Sequence, residues 1–380
     1  MEVKLHRSIV DFMSTEWNAL LAESYPFMRY EFLAALEQNN GTGPRYGWLP
    51  RHIGAYADGK LIGALANYEK DNTYGEFVFD WSWADAYQRH GLPYYPKWVV
   101  AAPYTPATGP RLLIHPDQEW QAVATVLIEG LQHFQQEANI SSLHILFTNR
   151  HETEFLMQQG FMTRLGCQFH WHNQDYRDFQ DFLDSFTSKK RKNIKQERRY
   201  AQASQADIEI ITGNNATEDQ LAAAELFYRR TFDEKYGTAT LNLGFFTQIA
   251  RTMGDQLVLI MASRNQQYIA GAICFRDKNT LYGRHWGCIE EHDHLHFEVC
   301  FYQGIEYCIS EGLQRFEPGA QGEHKISRGF LPTPTWSSHW INHPEFRHAI
   351  QHFLNQETAG MEDYIATMTS RSPYKKIIHE

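Results

Sequence analysis

His52-Ile-Gly-Ala-Tyr-Ala-Asp-Gly-Lys-Leu-Ile-Gly-Ala-Leu-Ala-Asn-Tyr-Glu69 reads as two strands joined at Asp58-Gly59. Asp-Gly between apolar runs is a strong short-range hairpin signal, because a tight turn that matches strand twist needs positive φ at both central positions. The pattern returns in the second half. Leu257-Val-Leu-Ile-Met-Ala-Ser-Arg-Asn-Gln-Gln-Tyr-Ile-Ala-Gly-Ala-Ile-Cys-Phe-Arg276 again gives strand, polar turn, strand, and Gly271-Ala272-Ile273 echoes Gly63-Ala64-Leu65.

The surroundings repeat as well. Each hairpin follows helical segments and precedes an aromatic strand, Tyr94 to Pro103 in one half and Leu281 to Ile289 in the other. A long helix comes next, Asp117 to Ala138 and then Phe297 to Gly312, each followed by a strand, Ser142 to Phe147 and Arg315 to Glu317. The order predicts two copies of one α/β unit of about 170 residues each. The competing reading is two unrelated α/β domains.

At 380 residues the chain exceeds the size at which one core stops growing, so two domains are expected on length too. A formal net charge of -10 argues against a general duplex-DNA binder but leaves room for a local basic site. Five cysteines without CxxC spacing indicate neither a disulfide framework nor a zinc knuckle, and reduced thiols in a cytoplasmic protein fit best. The first ten residues carry no apolar signal segment, and no run approaches a membrane span, so a soluble, cytoplasmic protein is expected.

His151-Glu-Thr-Glu-Phe-Leu-Met-Gln-Gln-Gly-Phe-Met-Thr-Arg164, then Cys167-Gln-Phe-His-Trp-His172, form a helix, Gly-Phe and a strand. This resembles the closing element of the GNAT fold of N-acyltransferases. Tyr74-Gly-Glu-Phe-Val-Phe-Asp-Trp-Ser-Trp83, Tyr94-Tyr-Pro-Lys97, Ser188-Lys-Lys-Arg-Lys192, Leu281-Tyr-Gly-Arg-His-Trp286, Leu295-His-Phe-Glu298 and Gly319-Ala-Gln-Gly-Glu-His-Lys325 narrow the resemblance to FemAB-like proteins. These are a tandem-GNAT group tied by name to peptidoglycan biosynthesis. The resemblance implies an α/β (α+β) fold of two tandem GNAT-like domains, 1–177 and 178–380, the second with a C-terminal helical segment. Each would hold a mixed, largely antiparallel sheet flanked by helices. It also implies N-acyl or N-aminoacyl transfer to a primary amine.

Acyl transfer to an amine needs a deprotonated nucleophile, a donor aimed at the developing oxyanion, and a place for the leaving group. The segment Arg315 to Phe330 sets Glu317, Gln321, Glu323, His324, Lys325 and Arg328 among glycines. If residues 315–325 were extended, Glu317, Gln321, Glu323 and Lys325 would share one face, with His324 opposed. Lys325 would then hold a carbonyl oxygen or a phosphate, and Glu323 or His324 would orient or deprotonate the amine. The resemblance favours Lys325 as the transfer-site lysine. A surface turn whose Lys pairs with Glu is the bland alternative. Strand alternation puts Arg284 and Trp286 on one face and His285 on the other, so Arg284 and Trp286 are cleft candidates unless the Trp is core.

Between Ser188 and Arg199 lie seven Lys or Arg and one Glu. With Ser188 as cap, Arg191, Lys195 and Arg199 recur at spacing four, and Lys189 and Lys192 join them as phosphate-binding candidates for the acceptor arm of a tRNA, a nucleotide-linked precursor or CoA. A solvated helix face is the alternative. Glu290-Glu-His-Asp-His-Leu-His296, ahead of the second long helix, is acidic and lacks glycine, which disfavours a CoA pyrophosphate there. Thr105 to Arg111 carries Arg111 and no acid, and is the CoA candidate of the first half. The three histidines of the acidic loop read as solvated rather than metal-binding, and no metal is expected. Lys97, a cation in an aromatic strand, is a further binding candidate. The donor expected is aminoacyl-tRNA or an acyl-CoA, with no tightly bound cofactor. The acceptor would be a small-molecule or nucleotide-linked amine. Two rivals stay open: an acyl-CoA-dependent enzyme using the first domain, and a binding protein with a degenerate site.

Overall fold

The computed structural model describes residues 1–21, 25–235, 237–320 and 322–375. The chain divides into two compact units, Met1–Cys167 with Pro334–Asp363, and Gln168–Thr333 with Tyr364–Glu380. These are not the contiguous halves 1–177 and 178–380. The reason is strand pairing late in the chain, as the two sheets show.

Unit 1 opens with β1 (Glu2–His6), α1 (Ser14–Ala19) and α2 (Tyr30–Gln38), followed by β2 (Leu49–Pro50), β3 (His52–Ala57), β4 (Lys60–Leu65) and β5 (Asn67–Lys70). Then come α3 (Trp81–Arg89), β6 (Lys97–Val100), β7 (Leu113–Ile114), α4 (Trp120–Glu137), β8 (Ser142–Thr148) and α5 (Arg150–Gln158). The β3-β4 hairpin turns at Asp58 and Gly59, with φ of 50° and 78°, as its sequence requires. The buried face of α4 is Val123, Ala124, Leu127, Ile128 and Leu131, the stripe expected of a 3.6-residue period. It packs on Ile53, Ile62 and Leu65 of the hairpin and on Leu143 and Ile145 of β8. Strand β6 runs parallel to β8, Trp98 opposite Leu143. The aromatic run Tyr74 to Trp83 is not a strand: its end begins helix α3 at Trp81.

Unit 2 repeats the plan. β9 (Met162–His172) spans the boundary and is followed by α6 (Phe179–Asp184), α7 (Ser188–Gln202), β10 (Asp207–Thr212), α8 (Glu218–Glu234) and α9 (Leu243–Thr252). The hairpin is β11 (Leu257–Arg264) and β12 (Gln267–Arg276), turning at Asn265 and Gln266 with φ of 51° and 64°. β13 (Thr280–Cys288) comes next. The central helix is α10 (Leu295–Phe297), a π turn over Glu298–Tyr302, and α11 (Gln303–Ser310), and it leads to β14 (Arg315–Glu317). The order in this unit is β10-β11-β12-β13-β14-β9, antiparallel except for β13 with β14. Helix α8 lies directly on β13, where a Cβ at Gly287 would run into the Phe227 carbonyl oxygen.

Two late elements complete the units, β15 (Leu331–Ile341) and α12 (Pro344–Ser370). In unit 1, β15 pairs antiparallel with β8 from Trp336 opposite Thr148 to Ile341 opposite Ser142. In unit 2, β9 pairs antiparallel with β14 through His172 and Trp171. Hydrogen bonding therefore assigns Pro334–Asp363 to unit 1, although it lies far along the chain.

Candidate active site

β13 and β14 run side by side only from Thr280 opposite Arg315 to Tyr282 opposite Glu317, after which they part. β13 continues to Cys288, with a bulge against Ile273 and Cys274 that breaks the register around Arg284. β14 ends at Glu317, and the chain turns through Gly319 and Gly322, both at positive φ (93° and 113°). It then forms a 3-10 helix over Glu323–Arg328, closed by Gly329 in the left-handed region. This helix is why the alternating faces expected of an extended 315–325 segment do not exist.

The 3-10 helix buries Lys325, whose Nζ donates to the carbonyl oxygens of Gly319 at 2.7 Å and Pro318 at 3.2 Å. Among the described residues no carboxylate pairs with this ammonium. Burial lowers its pKa to about 8, opposed only by the Cys300 thiol. Arg328 Nε and Nη2 reach both oxygens of Glu197 at 3.0 and 2.8 Å, while Nη1 donates to the His324 carbonyl at 2.7 Å. Its guanidinium lies 3.5 Å from the centroid of the Phe297 ring. His324 is exposed beside Phe297 and Phe301. Partial burial and the neighbouring cations Arg328 and Lys325 lower its pKa, which keeps the imidazole neutral. His296, set edge-on against Trp286, is pushed to about 4 by burial and by the neighbouring His324 and the cations Arg328 and Lys325.

A family model for FemAB-like proteins, described as peptidoglycan biosynthesis/recognition, matches residues 8–376. The chain belongs to the FemAB-like family. Its fold is that of tandem GNAT proteins. The crystal structure of FemX matches with a TM-score of 0.54 at 11% identity, over 92% of this chain and all of that one. L-PGS from Bacillus licheniformis matches at 0.50 and 9%, over 87% of this chain and 96% of its own. A tandem GNAT protein from the clavulanic acid biosynthesis pathway matches at 0.46 and 11%, over 90% and 99%. No curated protein matches the chain.

Within this FemAB-like protein the sequence candidates separate. Lys325 stands at the parting of the strands with His324 on the same turn. Glu323 points away, exposed, to the Tyr364 hydroxyl and the Arg371 guanidinium, both at 3.1 Å. Gln321 lies outside the described residues. Glu317 is buried at the end of β14, with Arg315 Nε at 3.1 Å and His170 Nδ1 at 3.9 Å. Trp286 is half-buried against the unit 2 core, with its ring edge-on to His296. His285 faces the other way, onto Tyr228 of α8, with ring centroids 4.6 Å apart.

The basic segment is helix α7, but its cap is Thr187, without a side-chain hydrogen bond, and Ser188 is its first residue. Lys189, Lys192, Lys195 and Arg199 are exposed. Arg191 is held by Asp184 at 2.8 Å and Lys195 by Gln180 at 3.0 Å, so α6 steadies one edge of the stripe. The opposite face was missed. There Glu197 holds Arg328 and accepts from the Tyr302 hydroxyl, and Arg198 pairs with Glu298 at 2.8 Å and Glu306 at 2.9 Å. The signal was present in the single glutamate among seven cations, which a merely solvated basic face does not need.

Two candidates of unit 1 are structural. Arg111 is wholly buried and donates to the carbonyls of Leu146, Ala107 and Pro110 at 2.7, 2.7 and 3.0 Å. Its backbone N–H and that of Leu112 both go to the Glu152 carboxylate at 2.7 and 2.8 Å. Lys97 is also wholly buried, between Glu76 and Asp80. Neither cation has a face to offer a phosphate.

The fold implies a CoA pyrophosphate at the N-terminus of a central helix, where free N–H groups receive it. In unit 1 the first turn of α4 is closed by the Glu119 carboxylate, which accepts from Gln121 N–H at 3.1 Å and Ala122 N–H at 2.6 Å. In unit 2 the loop before α10 brings Glu290, Glu291 and Asp293, and Glu290 is bonded to Arg264 and His292. These residues do not fit a pyrophosphate in either unit. Among the described residues no cluster of His, Cys, Asp and Glu suits a metal ion. No helix among them is long and apolar enough to cross a membrane.

Proposed function

We propose that unit 2 transfers an acyl, specifically an aminoacyl, group from an ester donor to a primary amine, at the parting of β13 and β14. One observation carries this reading: Lys325 is a buried ammonium at that parting, bonded to two carbonyl oxygens and paired with no carboxylate among the described residues. A cation so placed stabilises negative charge that appears only during reaction, because water is excluded and its own partners are neutral. The amine nitrogen attacks the donor carbonyl carbon, and the oxyanion forms beside Lys325 Nζ. The neutral His324 imidazole accepts the proton released by the attacking amine. Collapse of the tetrahedral species breaks the ester bond, and the departing alkoxide takes that proton as it leaves as an alcohol. Exposed cations of α7 hold the donor's phosphates.

An aminoacyl-tRNA donor is favoured over acyl-CoA because carboxylates occupy both places where the fold would seat a pyrophosphate. Thermal shift with aminoacyl-tRNA, acetyl-CoA and longer acyl-CoAs tests this choice. Stabilisation by aminoacyl-tRNA alone supports it, stabilisation by CoA esters replaces it with an acyl-CoA-dependent enzyme, and stabilisation by neither leaves a binding protein with a degenerate site.

A further inference from the structure

The inward face of α7 ends directly on the turn that carries Lys325. Glu197 makes a two-point ion pair with Arg328 at 3.0 and 2.8 Å, and the Tyr302 hydroxyl of the π turn donates to the same carboxylate. Arg328 in turn grips the His324 carbonyl at 2.7 Å and covers the Phe297 ring. One guanidinium thus ties α7, the central helix and the 3-10 turn together, and Lys325 lies on that turn three residues away. The next residue of α7, Arg198, fixes the helix itself to Glu298 and Glu306.

We infer that Glu197 is a positioning residue: through Arg328 it holds the Glu323–Arg328 turn closed and so keeps Lys325 buried against the Pro318 and Gly319 carbonyls. A paired Arg–carboxylate in planar two-point geometry suits this task, because it fixes orientation as well as distance. Removing the carboxylate leaves a buried guanidinium without its counter-charge, which is relieved only by movement of the turn toward water. The groups facing Lys325 are Cys300 on the π turn, His296 on α10, and His324 and Arg328 on its own turn. His170 on β9 also lies within reach of the Lys325 charge. Of these, Arg328 is the one that links α7 to the turn.

The inference gives the site of proposed transfer its rigidity, and its test does not depend on that activity. The intact protein is labelled with acetic anhydride across a pH series, and acetylation of Lys325 is read by mass spectrometry relative to exposed Lys60. In Glu197→Gln the midpoint of Lys325 labelling should rise by one pH unit or more, and its limiting rate at high pH severalfold, with Lys60 unchanged. Tyr302→Phe, which removes one hydroxyl, should move both in the same direction by less. A folded Glu197→Gln protein whose Lys325 labels as in the parent overturns the inference. If Glu197→Gln does not fold, the Tyr302→Phe result decides: parent-like labelling there overturns it as well.

Discussion

Lys97 and Glu76 form a wholly buried ion pair in unit 1, Nζ 2.7 Å from Oε2, and Asp80 closes the other side of the ammonium at 2.6 Å. Tyr94 donates to the same Asp80 oxygen at 2.5 Å, and beyond it the Nδ1 atoms of His144 and His339 are hydrogen-bonded to each other at 2.7 Å. Burial alone would lower the lysine pKa, yet the two carboxylates outweigh it and hold the ammonium charged. The aromatic side chains Tyr74, Phe77, Phe79 and Trp81 of the segment that supplies Glu76 and Asp80 are exposed, so the ion pair pins that segment from beneath.

Lys97→Met should therefore destabilise the protein by about 3–5 kcal/mol, because it strands buried carboxylates. The triple variant Lys97→Met, Glu76→Gln, Asp80→Asn should recover most of that loss. Urea unfolding of the two proteins measures both, and a single variant within about 1 kcal/mol of the parent would show the pair to be dispensable.

The contribution of Glu152 to stability should fall as pH rises from the acid side. Burial raises the pKa of Glu152 to about 7, despite the backbone N–H groups of Arg111 and Leu112 that favour its ionised form. A carboxyl held above its unfolded value favours the folded state below the unfolded pKa and loses that contribution as pH climbs through about 7. Up to about 3 kcal/mol is at stake for such a group. Glu152→Gln should remove this falling contribution and so make the slope of unfolding free energy against pH more positive across this window, and an unchanged slope would place the titration elsewhere.

Lys325→Ala should abolish transfer while leaving the melting temperature near that of the parent, since the lysine partners are two turn carbonyls. The loss of rate should be at least 100-fold, the scale of removing one oxyanion donor. Transfer to an amine acceptor, measured beside circular dichroism melting, checks both halves, and retained activity would sink the proposed site.

Reversing Lys189, Lys192 and Lys195 to Glu should weaken tRNA binding and lessen its salt dependence. Each phosphate that is no longer neutralised lowers the slope of log K against log salt by about 0.7–0.9. Binding isotherms at several salt concentrations read this directly, and an unaltered slope would make α7 a solvated face.

Gly287→Ala should destabilise by about 3 kcal/mol, because the methyl would force α8 off β13 at the Phe227 carbonyl. A melting temperature equal to that of the parent would mean that the helix yields freely.

The hairpins were legible because local chemistry dictates them. Asp58-Gly59 and Asn265-Gln266 take the positive φ that their turns need, and the flanking apolar runs supply the strands. The long helix of each unit and the strand after it were legible for the same reason, since periodicity and length are local. Lys325 was legible as a lysine among glycines, but its setting was not. The 3-10 turn that buries it follows from Gly322 and Gly329 at positive φ together with bonds from α7, which no short window contains.

Misplaced candidates failed for one physical reason. Arg111 and Lys97 look like free cations in a string of letters, because the groups that engage them arrive from elsewhere: Leu146 and Ala107 for one, Glu76 and Asp80 for the other. A buried charge must find partners, and those partners are chosen by packing rather than by sequence neighbourhood. Domain limits failed in the same way, since the pairing of β15 with β8 joins residues nearly two hundred positions apart, as Ser338 with Ile145 shows.

The sequence by itself determined a repeated α/β unit, a basic helix and a glycine-flanked lysine, because turn chemistry, periodicity and charge runs act over a few residues. Only the tertiary structure decided which strand completes each sheet, which cations are internal, and that Glu197 meets Arg328 beside Lys325. Those outcomes depend on long-range hydrogen bonds and on the desolvation of charge, and both exist only once the chain has closed on itself.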